Sequence, residues 1–199
     1  ADLPSAEQRL QIFLMSLRRL LAEGYVYIGL DHFAKPDDSL AKATMDGSLH
    51  RNFQGYTTRA DCDLIGLGLS AIGKIGNSYV QNLRTLDEYY GSLEHGVLPV
   101  EKGYHLNPDD LLRRQVIMDL MCSNPIDFEE IGKQYNICFG DYFAEELQKI
   151  QLYADEGLIA LDDKRVSITP KGRLFVRAVG MAFDQYLSRQ GTAKYSRLI

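Results

Sequence analysis

Tyr25-Val26-Tyr27-Ile28-Gly29-Leu30 is a nearly continuous apolar run. With no polar alternation it reads as a strand buried on both faces, the kind that parallel sheets with helical crossovers produce. What precedes it agrees. Ser5 and Gln8 stand at capping-box spacing, and Leu10, Phe13, Leu14, Leu17, Leu20 and Leu21 recur at helical intervals. Gly24 follows, placed to take a left-handed cap. The run ends in Asp31-His32-Phe33, at the strand end where α/β barrels and open parallel sheets bind ligands. The expected fold class is therefore α/β in this half.

Bulk composition narrows the function. The chain has 199 residues, 45% of them hydrophobic and 25% charged, with a formal net charge of -5. An acidic surface disfavours a phosphate backbone, so no nucleic-acid partner is expected. Cys62, Cys122 and Cys138 are odd in number and widely spaced, with no C-x-x-C pair. That is the pattern of free thiols in a reducing cytosol, not of a disulfide framework or a zinc site. The four histidines are equally scattered, and no metal ligands are assigned. No apolar run is long enough to span a bilayer and no secretory leader is present, which predicts a cytoplasmic protein with no membrane partner.

Pro36-Asp37-Asp38 begins a short helix that runs to about Asp46 and stops at Gly47. His50-Arg51-Asn52-Phe53-Gln54-Gly55-Tyr56-Thr57-Thr58 then gathers two aromatic rings, two amides, a guanidinium and an imidazole around one glycine. Phe53 and Tyr56 can stack on a flat ligand, Asn52 and Gln54 can read its polar edge, and Arg51 can fork a carboxylate. A surface loop between two strands has much the same composition. Cys62 to Leu69 is a second apolar segment. Within it and beyond, Gly66-Leu67-Gly68-Leu69-Ser70-Ala71 matches the dinucleotide fingerprint in form. Gly73 and Gly76, however, fall where its helix would start, so these glycines read as points of close backbone approach. Ser78 to Asn82 is loop-like, Leu83 to Leu93 a helix, and Gly96 to Gly103 an exposed connector that divides the chain into residues 1–103 and 104–199.

The second half has a different rhythm. Asn107 caps a helix with Pro108 in its first turn and Leu112, Val116 and Leu120 on its buried stripe. Asp127 caps a second helix to about Tyr135, and a third runs from about Asp141 to Glu156. Leu158 to Leu161 and Val166 to Thr169 form a hairpin turned by Asp162-Asp163-Lys164, and Thr169-Pro170 opens a last helix to about Ser188. The arrangement is winged-helix-like, and it raises an alternative reading, a protein- or nucleic-acid-binding module without catalytic activity. Against DNA, the third helix carries Asp141, Glu145, Glu146, Asp155 and Glu156 with Lys149 alone, and groove readers need basic and amide side chains there.

Tyr27-Ile28-Gly29-Leu30-Asp31-His32-Phe33-Ala34-Lys35-Pro36-Asp37-Asp38, the His50–Thr58 stretch and Leu64-Ile65-Gly66-Leu67-Gly68-Leu69-Ser70-Ala71-Ile72 together resemble the late barrel region of the oxygen-independent coproporphyrinogen III oxidases. These are radical S-adenosylmethionine enzymes of haem synthesis. The resemblance continues through Asp141-Tyr142-Phe143-Ala144-Glu145 and Lys171-Gly172-Arg173-Leu174 to Tyr195-Ser196-Arg197-Leu198-Ile199. It implies the last β/α units of a partial barrel in residues 1–103, followed by a mostly helical C-terminal domain with a small β-hairpin in residues 104–199. The family's C-x-x-x-C-x-x-C motif, which binds a [4Fe-4S] cluster, is not in this sequence. The resemblance therefore implies a C-terminal fragment, inactive alone and prone to self-associate, of an enzyme expected to be a monomer.

In the family, a 5′-deoxyadenosyl radical formed from S-adenosylmethionine abstracts hydrogen from a propionate of coproporphyrinogen III. Carbon dioxide is lost, and two such events give protoporphyrinogen IX. The resemblance places S-adenosylmethionine contacts at Phe53, Gln54 and Ile72 and no catalytic residue in this chain. Arg51 and Arg59 are expected, from charge, to meet the carboxylates of the substrate. The electron donor has no sequence signature.

Overall fold

The computed structural model describes residues 3–60 and 62–187. The closing Tyr195–Ile199 block and the expected end of the last helix at Ser188 lie outside them. The first half opens with helix α1 (Ala6–Ala22), where Ser5 and Gln8 complete the capping box at 3.2 and 2.8 Å. Strands β1 (Val26–Gly29) and β2 (His32–Ala34) follow, then helix α2 (Ser39–Asp46). Asp38 caps α2 and Gly47 ends it in the left-handed region, so Pro36 sits ahead of the helix and not in its first turn. Next come β3 (His50–Asn52), β4 (Gly55–Thr57), β5 (Ile72–Ile75), β6 (Ser78–Asn82), α3 (Leu86–Glu94) and β7 (Val100–His105).

The second half contains α4 (Pro108–Met121), β8 (Ile126–Asp127), α5 (Phe128–Tyr135), α6 (Phe139–Tyr142), α7 (Ala144–Asp155), β9 (Ile159–Leu161) and β10 (Arg165–Ile168). A 3-10 turn (Gly172–Leu174) and helix α8 (Val176–Met181) end it. The long last helix expected from Thr169 is thus two short pieces.

The strand at Tyr25–Leu30 forms, but its expected parallel setting does not. β1 turns back through Leu30, which takes φ 52°, and pairs antiparallel with β2 as a two-stranded ribbon. Every strand pair among the described residues is antiparallel, and none closes a barrel. Burial explains why the sequence misled: Tyr27 and Ile28 are interior, yet Ile28 packs with residues of α2 and the β3–β4 hairpin and Tyr27 lies against Phe33 and Arg173, rather than between neighbouring parallel strands. Helix α1 also departs from expectation. Its apolar stripe has no buried residue, and Met15 is 63% exposed.

Two further stretches are corrected. Ser78–Asn82, read as loop, is the central strand of the β5-β6-β7 sheet, and the supposed connector supplies its edge strand β7. The signal was weak because β7 is exposed along its whole length and shows no period-2 burial. Cys62–Leu69 forms no strand; only Leu64 bridges to Lys74, leaving Leu67 85% exposed. The close backbone approach expected there does occur, since a Cβ on Gly73 would stand 2.6 Å from the Leu64 carbonyl oxygen. No helix follows the glycines, so the dinucleotide reading fails on structure as on sequence.

Two cores form. The larger draws entirely on the second half, with Leu112, Val116, Leu120, Phe143, Ile150, Val166 and Phe183 among its buried members. The smaller joins Ile28, Ala34, Ala41, Ala43, Leu49 and Tyr56 from the first half to Cys122 at the end of α4. The expected third helix is interrupted at Phe143, whose φ of -106° and ψ of 24° end α6 and set its ring fully inside the larger core.

Candidate functional site

The His50–Thr58 stretch folds into a hairpin with registers His50 to Thr57, Arg51 to Tyr56 and Asn52 to Gly55. Phe53 and Gln54 are the two residues of its turn. The Asn52 side chain accepts from the Gln54 amide at 2.8 Å, which fixes the turn, and both Phe53 and Gln54 face solvent. Gly55 is required: its φ is 131°, and a Cβ would lie 2.8 Å from His32 Nε2.

The turn leans on the β5-β6-β7 sheet. The Phe53 ring meets Tyr79 edge-on, with centroids 4.9 Å apart and planes at 87°. In the ladder Ile72 opposes Gln81, Lys74 opposes Tyr79, and Tyr79 opposes Tyr104. Opposed residues and their i+2 neighbours share a face. Ile72, Tyr79 and Tyr104 therefore share one face, the one that Phe53 touches. The structure thus brings Phe53 and Ile72 to the same sheet face, with Gln54 beside Phe53.

The two arginines part company from them. Arg51 stands opposite Tyr56 and lays its guanidinium 5.4 Å from that ring, its Nε buried and without a hydrogen-bond partner. It points toward the small core, not toward the exposed turn. Arg59 is exposed, and its backbone amide donates to Thr57 Oγ1 at 3.0 Å.

The hairpin is tied to the second half. The Tyr56 hydroxyl donates to the Met121 carbonyl at 2.9 Å, and Arg173 donates to the carbonyls of Tyr27 and Ile28 at 2.7 and 2.9 Å. Burial pushes the Tyr56 phenol well above its ordinary pKa, so it remains a donor. Sequence reading passed over Tyr56 as an anchor because its partner is 65 residues away.

Against the same sheet face lies a cavity of about 420 Å³, walled by Tyr79, Tyr104, Leu106, Ile117 and Phe183 and bordered by Asp110, Arg113 and Arg114. Burial works against ionisation of Asp110, but hydrogen bonds from Tyr186, Asn107, Tyr104 and Gln185 outweigh it and hold the carboxyl below its usual pKa. Arg113 is forked onto Asp109 at 3.0 Å and bonded to Glu146 at 2.8 Å and to the Phe183 carbonyl at 3.0 Å. The acidic third helix thus places Glu146 inside, as the counterion of Arg113. Arg114 is half-buried beside Tyr79, 5.7 Å from the ring centre.

For a metal cluster the residues do not fit. Among the described residues no group of three or more His, Cys, Asp or Glu converges, and Cys122 is buried while Cys62 and Cys138 are exposed. No helix among them is long and apolar enough to cross a membrane.

Residues 106–175 match the HemN C-terminal domain family. Beyond that domain, the whole chain is similar to proteins named oxygen-independent coproporphyrinogen III oxidase. That of Pseudomonas aeruginosa is 48% identical over 198 residues, covering 100% of this chain and 43% of the relative. The Escherichia coli protein is 45% identical over 200 residues, covering 100% of this chain and 44% of its own length. A solved structure, described as coproporphyrinogen III oxidase (HemN) from Escherichia coli, a radical SAM enzyme, superposes with a TM-score of 0.87 at 45% identity. It covers 93% of this chain and 43% of that one. The resemblance carried by the sequence blocks therefore holds in sequence and in structure. The chain spans less than half the length of these relatives.

Proposed function

We propose that this chain is the cofactor- and substrate-facing C-terminal part of an oxygen-independent coproporphyrinogen III oxidase. In this reading the complete enzyme converts coproporphyrinogen III to protoporphyrinogen IX in the cytoplasm by S-adenosylmethionine radical chemistry. The observation that carries the reading is the hairpin turn. It presents Phe53 and Gln54 to solvent, edge-on to Tyr79, over the face that also holds Ile72. An aromatic edge, a two-way amide and an apolar wall suit a sulfonium nucleoside: the ring for stacking, the amide for the polar edge, the isoleucine for the methylene chain. Bound there, S-adenosylmethionine would supply the 5′-deoxyadenosyl group. The chain's own residues orient it and shield one side from water. The described residues supply no ligand set for an iron–sulfur cluster.

Arg59, exposed beside the turn, is available to a substrate carboxylate, while Arg51 is committed to Tyr56. We also propose the division into residues 1–103 and 104–199, supported by the two cores, of which only the smaller crosses the boundary, at Cys122. A winged-helix-like second unit is supported by the order of helix, short strand, three helices and hairpin, with the strands arranged β8-β10-β9. An anaerobic assay of the complete natural protein tests the function. S-adenosylmethionine-dependent conversion of coproporphyrinogen III with release of carbon dioxide is expected. No conversion in the presence of a reductant and an assembled cluster would overturn it.

A further inference from the structure

We propose that Arg114 is a substrate-specificity residue, anchoring a carboxylate of a flat tetrapyrrole whose ring lies in the cavity walled by Tyr79, Tyr104, Leu106, Ile117 and Phe183. The inference rests on the functional reading above and extends it to a subsite that the sequence motifs did not indicate.

Four observations carry it. First, among the described residues Arg114 makes neither a hydrogen bond nor an ion pair, although it is half-buried; its contact is with the face of Tyr79 at 5.7 Å. A guanidinium held in a partly desolvated place without a counterion suits an incoming carboxylate, which it can fork. Second, the neighbouring charged groups already have bonding partners. Arg113 is bonded to Asp109 and Glu146, and Asp110 accepts from Tyr186 at 2.6 Å, Asn107 at 3.0 Å and Tyr104 at 3.2 Å. Of the two guanidiniums that line the cavity beside the Asp110 and Asp184 carboxyls, Arg114 is therefore the one with no bonded carboxylate among the described residues. Third, the walls are mostly apolar or aromatic and enclose about 420 Å³, a size and lining that suit part of a flat macrocycle. Fourth, Tyr79 is shared. Phe53 meets its ring at 4.9 Å and the Arg114 guanidinium lies 5.7 Å from its centre, so the proposed cofactor contact and the anion anchor share a single side chain. A propionate held at Arg114 would keep the macrocycle beside the cofactor. Arg51 and Arg59 lack this combination: one is turned inward, and the other does not line this cavity.

Porphyrin fluorescence with the complete natural protein tests it, using oxidised coproporphyrin III as the probe and a porphyrin without carboxylates as the comparison. The wild type should bind coproporphyrin III and discriminate against the carboxylate-free ring. Arg114→Gln, which removes the charge but keeps a polar stem, should weaken coproporphyrin III binding roughly tenfold or more, as expected for losing a charge-assisted pair. Arg114→Lys should recover part of the loss, and S-adenosylmethionine affinity should be unchanged in both variants. Equal binding by Arg114→Gln and wild type overturns the proposal. So does equal wild-type affinity for the two porphyrins, a comparison that needs no variant to fold. Failure of the functional reading looks different: wild-type protein would show no S-adenosylmethionine-dependent turnover whatever Arg114 does to porphyrin binding.

Discussion

The Tyr56 hydroxyl donates to the Met121 carbonyl at 2.9 Å, joining the hairpin that carries Phe53 and Gln54 to the last turn of α4. Tyr56 is otherwise enclosed by His32, edge-on at 5.1 Å, and by the Arg51 guanidinium. The second half of the chain therefore sets where the turn stands. Tyr56→Phe removes that one bond and leaves a carbonyl without its donor. The expected cost is about 1 kcal/mol, seen as a lower unfolding midpoint in denaturant with an unchanged slope.

Gly55→Ala should cost more. The left-handed φ and the collision with His32 act together, and a loss of about 1–3 kcal/mol is expected from strain of this kind. Thermal unfolding measures it; an unchanged midpoint would show that the hairpin is built differently.

How much of this was legible beforehand depended on how local each signal was. The caps at Ser5, Asn107 and Asp127 and the stop at Gly47 rest on contacts a few residues apart, and all formed as the sequence indicated. The buried positions Leu112, Val116 and Leu120 followed from helical period alone. The failures were non-local. Tyr25–Leu30 has the composition of a doubly buried parallel strand, but composition does not say which element covers it. The β5-β6-β7 sheet went unseen because its edge strand is wholly exposed. At the candidate site Phe53, Gln54 and Ile72 could be named from motif blocks. The Tyr79–Arg114 contact joins residues from separate elements, and no spacing rule links them.

Asp110 gives a pH dependence. Its carboxyl is held below the usual range in the folded chain, so its stabilising contribution is complete above the unfolded carboxylate pKa. That contribution is lost as pH falls through the folded one. Asp110→Asn should therefore lower stability near neutral pH by about 1.5–3 kcal/mol, the range for hydrogen bonds to a charged group. It should also flatten the acid side of the stability curve below about pH 4. Denaturant titrations at several pH values decide this; parallel acid limbs for variant and wild type would contradict it.

Arg113 provides a packing test. Its guanidinium is 15% exposed and bonded to Asp109, Glu146 and the Phe183 carbonyl. Removing it as Arg113→Met strands Glu146, and about 3–5 kcal/mol of destabilisation is expected for a broken buried pair. The double variant with Glu146→Gln should regain part of that loss in a thermodynamic cycle.

The thiols should separate by reactivity. Burial, with Asp119 nearby, pushes Cys122 up to about 12, whereas Cys62 and Cys138 are exposed. Iodoacetamide at mildly alkaline pH should label Cys62 and Cys138 in the native state and Cys122 after unfolding. Peptide mass spectrometry reads the order directly.

S-adenosylmethionine is expected to lie against the Phe53-Gln54 turn. The most direct measurement is its dissociation constant by equilibrium dialysis in the complete natural protein, wild type against Gln54→Ala, with iron content measured on the same samples. A several-fold weaker affinity with unchanged iron is the expected result, in line with the loss of one or two hydrogen bonds. Identical affinity in the two proteins would remove the hairpin turn from the cofactor site.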